Sequence, residues 1–171
     1  MYPVVVVMLL GVLPVGSIVA ELAIYHSSGD LIALAGKWFT FWAIGARLLT
    51  AGLMQTLNPG YTRGNIFEVA DENANDIVRE LGFANLALGI LGALSILTPA
   101  WTPGAALAGG LYYGLAGFRH AMSRSPNSQR KFAMISDLAV AAVFALYLCA
   151  FYLIQHGAPP VPAPTATGTA I

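Results

Sequence analysis

The strongest constraint in this chain is that its apolar residues arrive in runs long enough to cross a bilayer. A spanning helix needs about 20 predominantly apolar residues. Five segments meet or approach that length: 3–25, 31–57, 80–97, 104–120 and 132–154. Charged residues make up 9% of the 171 residues and mean hydropathy is +0.70. A soluble domain carries about 25% charged residues, so this one could not cover an aqueous surface. The expectation is an all-α, single-domain membrane bundle of five spans over residues 1–156. The alternative is four spans plus a cleaved or peripheral N-terminal segment.

Between the runs lie turn signals. "HSSGD" precedes the second run, and Asp30 is placed to cap it. "NPGYTRG" ends that run, because proline and glycine punctuate helices. "NIFEVAD" has the pattern of a short interfacial helix, and Asn75 or Asp76 is expected to cap the third span. Pro14 predicts a kink in the first run, which lipid-phase helices tolerate. "MYPVVVVMLL" lacks the Lys or Arg of a signal-peptide n-region, so a retained helix is expected. The Pro/Ala/Thr tail, 157–171, carries no charge and no core-forming pattern, so it is expected to be disordered.

Orientation follows from charge. Arg63, Arg79, Arg119, Arg124, Arg130 and Lys131 fall on one face of a five-span bundle, and Lys37 on the other. The positive-inside rule puts the N terminus and the 58–79 and 121–131 loops in the cytoplasm, with the tail outside. Tyr25, Trp38, Trp42, Trp101 and Tyr152 then line the outer interface. Formal net charge is zero, which leaves no basic footprint for nucleic acid. The single cysteine, Cys149, has no intramolecular disulfide partner. No Cys/His spacing points to a metal, and no motif names a cofactor.

"FWAIGARLLTAGLMQTL" holds the most informative residue. Arg47 sits near the middle of its span, roughly 15 Å from either interface. A cation there costs at least ~2.5 kcal/mol on insertion scales. It is therefore expected to face other helices, on a stripe with Thr40, Ala43, Thr50 and Ala51. By depth, Asp137 is its first partner, with Tyr112 and Tyr113 next. Glu21 lies near the outer face, too far for a simple pair with Arg47. Gln55, Glu80, Asn85, His120 and Asp137 share the cytoplasmic third of the bilayer. These residues and Arg47, Tyr112 and Tyr113 form a candidate inward-facing pocket. A metal held by Glu80, His120 and Asp137 would need three helices to converge without supporting local spacing. The acidic residues Glu68 to Asp76 read as a solvated loop.

Small residues mark packing faces. Gly82, Gly89 and Gly92 stripe the third span with Asn85. Gly110, Gly114 and Gly117 stripe the fourth, which is expected at the bundle centre. Packing within one chain is expected ahead of a homo-oligomer face.

"FWAIGARLLTAGLMQTLNP" and "IVRELGFANLALGILG" resemble a family of small bacterial multi-helix membrane proteins classed as a domain of unknown function. The likeness covers roughly residues 38 to 155. The helix count and the arginine-containing second span are similar, more distantly, to DoxX-like four-helix membrane proteins. The resemblance implies a bacterial inner-membrane four-helix core with the first helix added. It implies no activity. Three functions stay open. One is a non-enzymatic structural or accessory subunit, with a protein partner. The second is a binder or carrier of a small amphipathic ligand such as a quinone or lipid. The third is a membrane enzyme using Glu80, His120 or Asp137 as acid or base.

Overall fold

The computed structural model describes residues 2–25, 30–122 and 128–157. Most of the HSSGD turn, part of the 121–131 loop and the tail after Gly157 lie outside the described residues. Helices make up nearly all of what is described, and no strand occurs there. We number them α1 (residues 2–25), α2 (residues 31–57), α3 (residues 59–67), α4 (Ala74–Leu94), α5 (Thr102–Ala121) and α6 (Ser128–Gly157). Three stretches, Pro3–Ile24, Ala74–Leu94 and Ser128–Ile154, are long and apolar enough to cross a membrane. Lys37 and Arg47 lower the apolar character of α2, and glycine lowers that of α5.

Two long helices are interrupted by π-helical turns, Met8–Val12 in α1 and Thr40–Ala46 in α2. The first ends two residues before Pro14. Leu13 N–H donates to Met8 O, five residues back, so the wider turn absorbs the proline where the sequence predicts a kink. Asp30 caps α2 as expected, its Oδ1 accepting from Ile32 N at 2.9 Å.

The connection from α2 to α4 differs from the sequence reading. Pro59 does not simply stop α2. It opens α3 as its first residue, where its missing N–H is no loss. Helical structure then runs to Phe67 and ends at Glu68, whose φ of 57° is left-handed. The stretch Glu68–Ala70 is not helical. The helix α4 begins at Ala74, so residues 74–79 belong to it and not to the loop, and it ends at Leu94. Neither Asn75 nor Asp76 caps it. Asn75 Oδ1 accepts from Arg63 Nε at 2.9 Å, and Asp76 pairs with Arg79 at 2.8 Å. Both are already inside the helix, past the capping position. Likewise α5 and α6 extend beyond the 104–120 and 132–154 segments, because their polar end residues continue the helical turns.

Two antiparallel helix pairs make the bundle. Glycine lets α2 and α4 meet backbone to backbone. A Cβ at Gly92 would stand 2.6 Å from Gly45 N, and one at Gly89 would stand 2.6 Å from Leu49 N. A Cβ at Gly82 would stand 2.7 Å from Thr56 Oγ1. The second pair is looser at its middle and close at Gly117, where a Cβ would stand 2.8 Å from Leu138 Cγ. Gly110 faces Phe144, Gly114 faces Ala141 and Gly117 faces Leu138 along α5 and α6. The pairs join through Ala43, Ile44 and Leu48 of α2, Ala106 and Tyr113 of α5, and Val140, Phe144 and Tyr147 of α6. Contrary to the expectation for the fourth span, α5 is not enclosed at the bundle centre. Its Leu107, Leu111, Leu115 and Phe118 form an outward stripe, exposed by 48–69%. Large apolar residues at every third or fourth position suit a lipid-facing surface.

These contacts predict a contrast measurable by SDS unfolding in mixed micelles. Gly92→Leu forces α2 and α4 apart and should lower stability by about 1–3 kcal/mol. Gly114→Ala places its Cβ 3.6 Å from that of Ala141, an ordinary contact, and should leave stability unchanged or raised.

Candidate functional site

The π turn in α2 prepares the Arg47 site. Arg47 N–H donates to Trp42 O and Ile44 O, bypassing Ala43 O. The Ala43 carbonyl instead accepts the hydroxyl of Tyr113, which is 1% exposed. An extra residue in the turn also rotates the remainder of the helix. The buried face that starts at Thr40 and Ala43 therefore continues through Ile44, Leu48 and Gly52. Thr50 falls off that face. It is exposed, and its hydroxyl bonds back to Ala46 O and Arg47 O.

Arg47 reaches across the bundle. Its Nη2 donates to Asp137 Oδ1 at 2.9 Å, and its guanidinium carbon lies 4.8 Å from the centre of the Tyr113 ring. Cation–π contact at this range is worth about 0.5–2 kcal/mol. Asp137 is 5% exposed. One arginine thus ties α2 to both α5 and α6. Tyr112 packs edge-on against Tyr113, with ring centres 5.9 Å apart. His120 is half-buried and close enough to Asp137 for their charges to interact.

Toward the loop end a second polar set adjoins the first. Asn85 Nδ2 donates to Gln55 Oε1 at 2.6 Å, linking α4 to α2. The Asn85 amide also interacts with the Tyr112 hydroxyl. Asn85 is 2% exposed, yet its Oδ1 accepts no hydrogen bond. Glu80 does not join. It is exposed on the outer face of α4, because it stands two residues, roughly 200°, from both Val78 and Gly82 on the buried face. So the structure gathers Arg47, Gln55, Asn85, Tyr112, Tyr113, His120 and Asp137, and leaves Glu80 apart. Among the described residues no group of three or more His, Cys, Asp and Glu is placed to hold a metal ion.

Two polar sets escape the sequence reading. At the other end of the bundle, Glu21 of α1 accepts from Lys37 Nζ at 2.8 and 2.9 Å and from Trp38 Nε1 at 2.6 Å. Trp42 Nε1 donates to Ser17 Oγ at 3.0 Å. The signal is present in Lys37, the lone cation of that face. At the loop end, two arginines hold the α3 segment by its carbonyls. Arg130 Nη2 donates to Ile66 O at 2.8 Å and Phe67 O at 3.0 Å. Arg63 Nη1 donates to Val69 O at 2.6 Å and Ala70 O at 2.8 Å. These are the free carbonyls that a helix end and its following turn leave behind.

Comparison with protein-family models, curated proteins and solved structures finds no match.

Removing one member of the deep pair should cost far more than removing both. Arg47→Leu leaves a buried carboxylate without its cation and should destabilise by about 3–5 kcal/mol. The double variant Arg47→Leu/Asp137→Leu should recover more than half of that loss in the same SDS unfolding measurement. Tyr113→Phe, which frees one buried carbonyl, should cost about 1–3 kcal/mol.

Proposed function

We propose that this protein is a five-span integral membrane protein that serves as a non-enzymatic structural or accessory subunit of a membrane assembly. One observation carries the reading. The charges inside the helices are engaged with each other across helix boundaries, Arg47 with Asp137 and Lys37 with Glu21. Such pairs fix which helices are neighbours. For acid/base chemistry by Glu80, His120 or Asp137, Glu80 finds less support, since it lies on the outer face, and Asp137 is engaged by Arg47.

The five spans are the three long apolar helices together with α2 and α5, which run alongside them. Loop charge supports a cytoplasmic N terminus and cytoplasmic 58–79 and 121–131 segments, with the tail outside. The resemblance of the second and third spans to a bacterial family supports the bacterial inner membrane as the location.

A second reading rests on Asn85. A buried acceptor without a donor is rare enough to call for an explanation. A small amphipathic ligand, a quinone in its reduced quinol form or a hydroxyl-bearing lipid, entering from the loop end could donate to Asn85 Oδ1 and sit against Gln55 and Tyr112.

Two measurements separate these readings. Native mass spectra of the protein in mild detergent, wild type and Arg47→Leu, should show a polypeptide partner or a homo-oligomer whose assembly weakens in the variant. A bound small molecule that disappears only in the variant would favour the ligand. Single cysteines at Glu72 and Ala100, in a Cys149→Ser background, should label from opposite sides in oriented membranes. Labelling of both from one side would overturn the five-span topology.

A further inference from the structure

We propose that the end of the bundle opposite the loops binds an uncharged membrane amphiphile, its hydroxyl- or carbonyl-bearing head in a chamber and its chain in an adjoining furrow. The chamber, of about 600 Å³, lies between α2, the turn joining α4 to α5, and α6. Its walls include Leu34, Lys37, Ser95, Thr102, Tyr147 and Phe151. Small-molecule sites commonly enclose about 300–1,000 Å³, are mainly apolar, and carry a few placed polar groups. The furrow, of about 280 Å³, runs beside it between Leu31, Ile32 and Phe39 of α2 and Val143, Leu146 and Tyr147 of α6. Tyr147 lines both spaces and so forms the wall between them. It can stand there because position 36 is glycine. Any side chain at Gly36 would occupy the Tyr147 ring.

The furrow opens sideways. Leu31 and Leu146, two of its lining residues, are 60% and 72% exposed. From Leu31 to Phe39 it follows α2 for roughly 12 Å, the length of a chain segment lying along the helix. Entry is therefore lateral, from the lipid.

Charge selects the head group. Lys37 is the cation of the chamber, and two of its three N–H donors are taken by the Glu21 carboxylate. The Glu21 carboxylate matches the Lys37 charge, so the pair presents no net cation to an anionic head. A neutral oxygen meets the third Lys37 donor and the Tyr147 hydroxyl, with Thr102 beside them. This site is separate from the Arg47 cluster, so it stands whether or not the structural reading of that cluster holds.

The test uses the full chain in nanodiscs with two photoactivatable probes of identical acyl chains. One is an uncharged diacylglycerol and the other an anionic phosphatidic acid. Crosslinked residues are mapped by mass spectrometry. The uncharged probe should label segments 95–103 and 143–151 at least fivefold more than the anionic one. Ala100→Trp, which fills the chamber mouth, should cut that labelling at least fivefold. Ala150→Trp, which blocks the furrow, should do the same and serves if the first variant does not fold. Leu111→Trp, on the lipid-facing stripe of α5, should leave it unchanged. Equal labelling by both probes, stronger labelling by the anionic probe, or even labelling along α1 and α4 would overturn the proposal.

Discussion

The Arg47–Asp137 pair sets the terms for the rest of this bundle. A guanidinium in the middle of an apolar helix cannot face lipid cheaply, and a carboxylate on α6 has the same difficulty. Each is tolerable only where the other is. That condition fixes the separation of α2 and α6 and the rotation of both. The hydrophobic contacts alone would not. Leucine, valine and phenylalanine pack acceptably in many registers within a membrane, where lipid is as apolar as a neighbouring helix. A pair at 2.9 Å has one register. Net stabilisation by such pairs is small, but the cost of separating them is large. Their contribution is specificity.

The pair depends in turn on backbone geometry. The π turn at Thr40–Ala46 lets Arg47 project toward α6 while Ile44 and Leu48 stay in the core. It also leaves the Ala43 carbonyl for Tyr113, whose ring then lies under the guanidinium. Without the wider turn, Arg47, Thr50 and Ala51 would fall on one stripe with Thr40 and Ala43, and Gly52 would rotate away from Gly82. The close α2–α4 seam and the deep ion pair are thus two consequences of one extra residue.

That turn also marks the limit of what a sequence pattern can convey. Depth along a helix follows from residue count, so the pairing of Arg47 with Asp137 is legible at 1.5 Å per residue. Rotation is not, because it accumulates over every residue and one π turn resets it. Thr50 has the right depth for the site but lies on an outer face. Glu80 does too, and there the rotation is legible, because α4 is regular and Glu80 stands two residues from Gly82 on the glycine stripe. The glycines of α4 are legible as a stripe, and Gly45 and Gly52, seven residues apart, share a face of α2, but nothing in the sequence says that these two faces meet. Arg63 and Arg130 read as loop charges. Their hydrogen bonds go to carbonyls that exist only because α3 forms and ends at a left-handed Glu68.

The two charged clasps differ in depth, and that difference assigns them different work. Lys37 is 36% exposed in its ion pair, against 12% for Arg47. An exposed pair is screened and contributes about 0–1 kcal/mol. Glu21–Lys37 therefore cannot by itself hold α1 to α2. It gains help from Trp38 and Trp42, which add hydrogen bonds to α1 and suit an interface where one edge is wet. Yet α1 contributes only Val6, Pro14 and Ile18 to the buried set, while most of its valines face outward. The four helices α2, α4, α5 and α6 are bound by glycine seams, a shared core and the deep pair. The first helix is bound by a shallow polar clasp, by Val6, Pro14 and Ile18, and by Leu10 against the shared core. The molecule is therefore a four-helix core to which α1 is more lightly attached, and α1 is the element that can part from its neighbours at least cost to the rest.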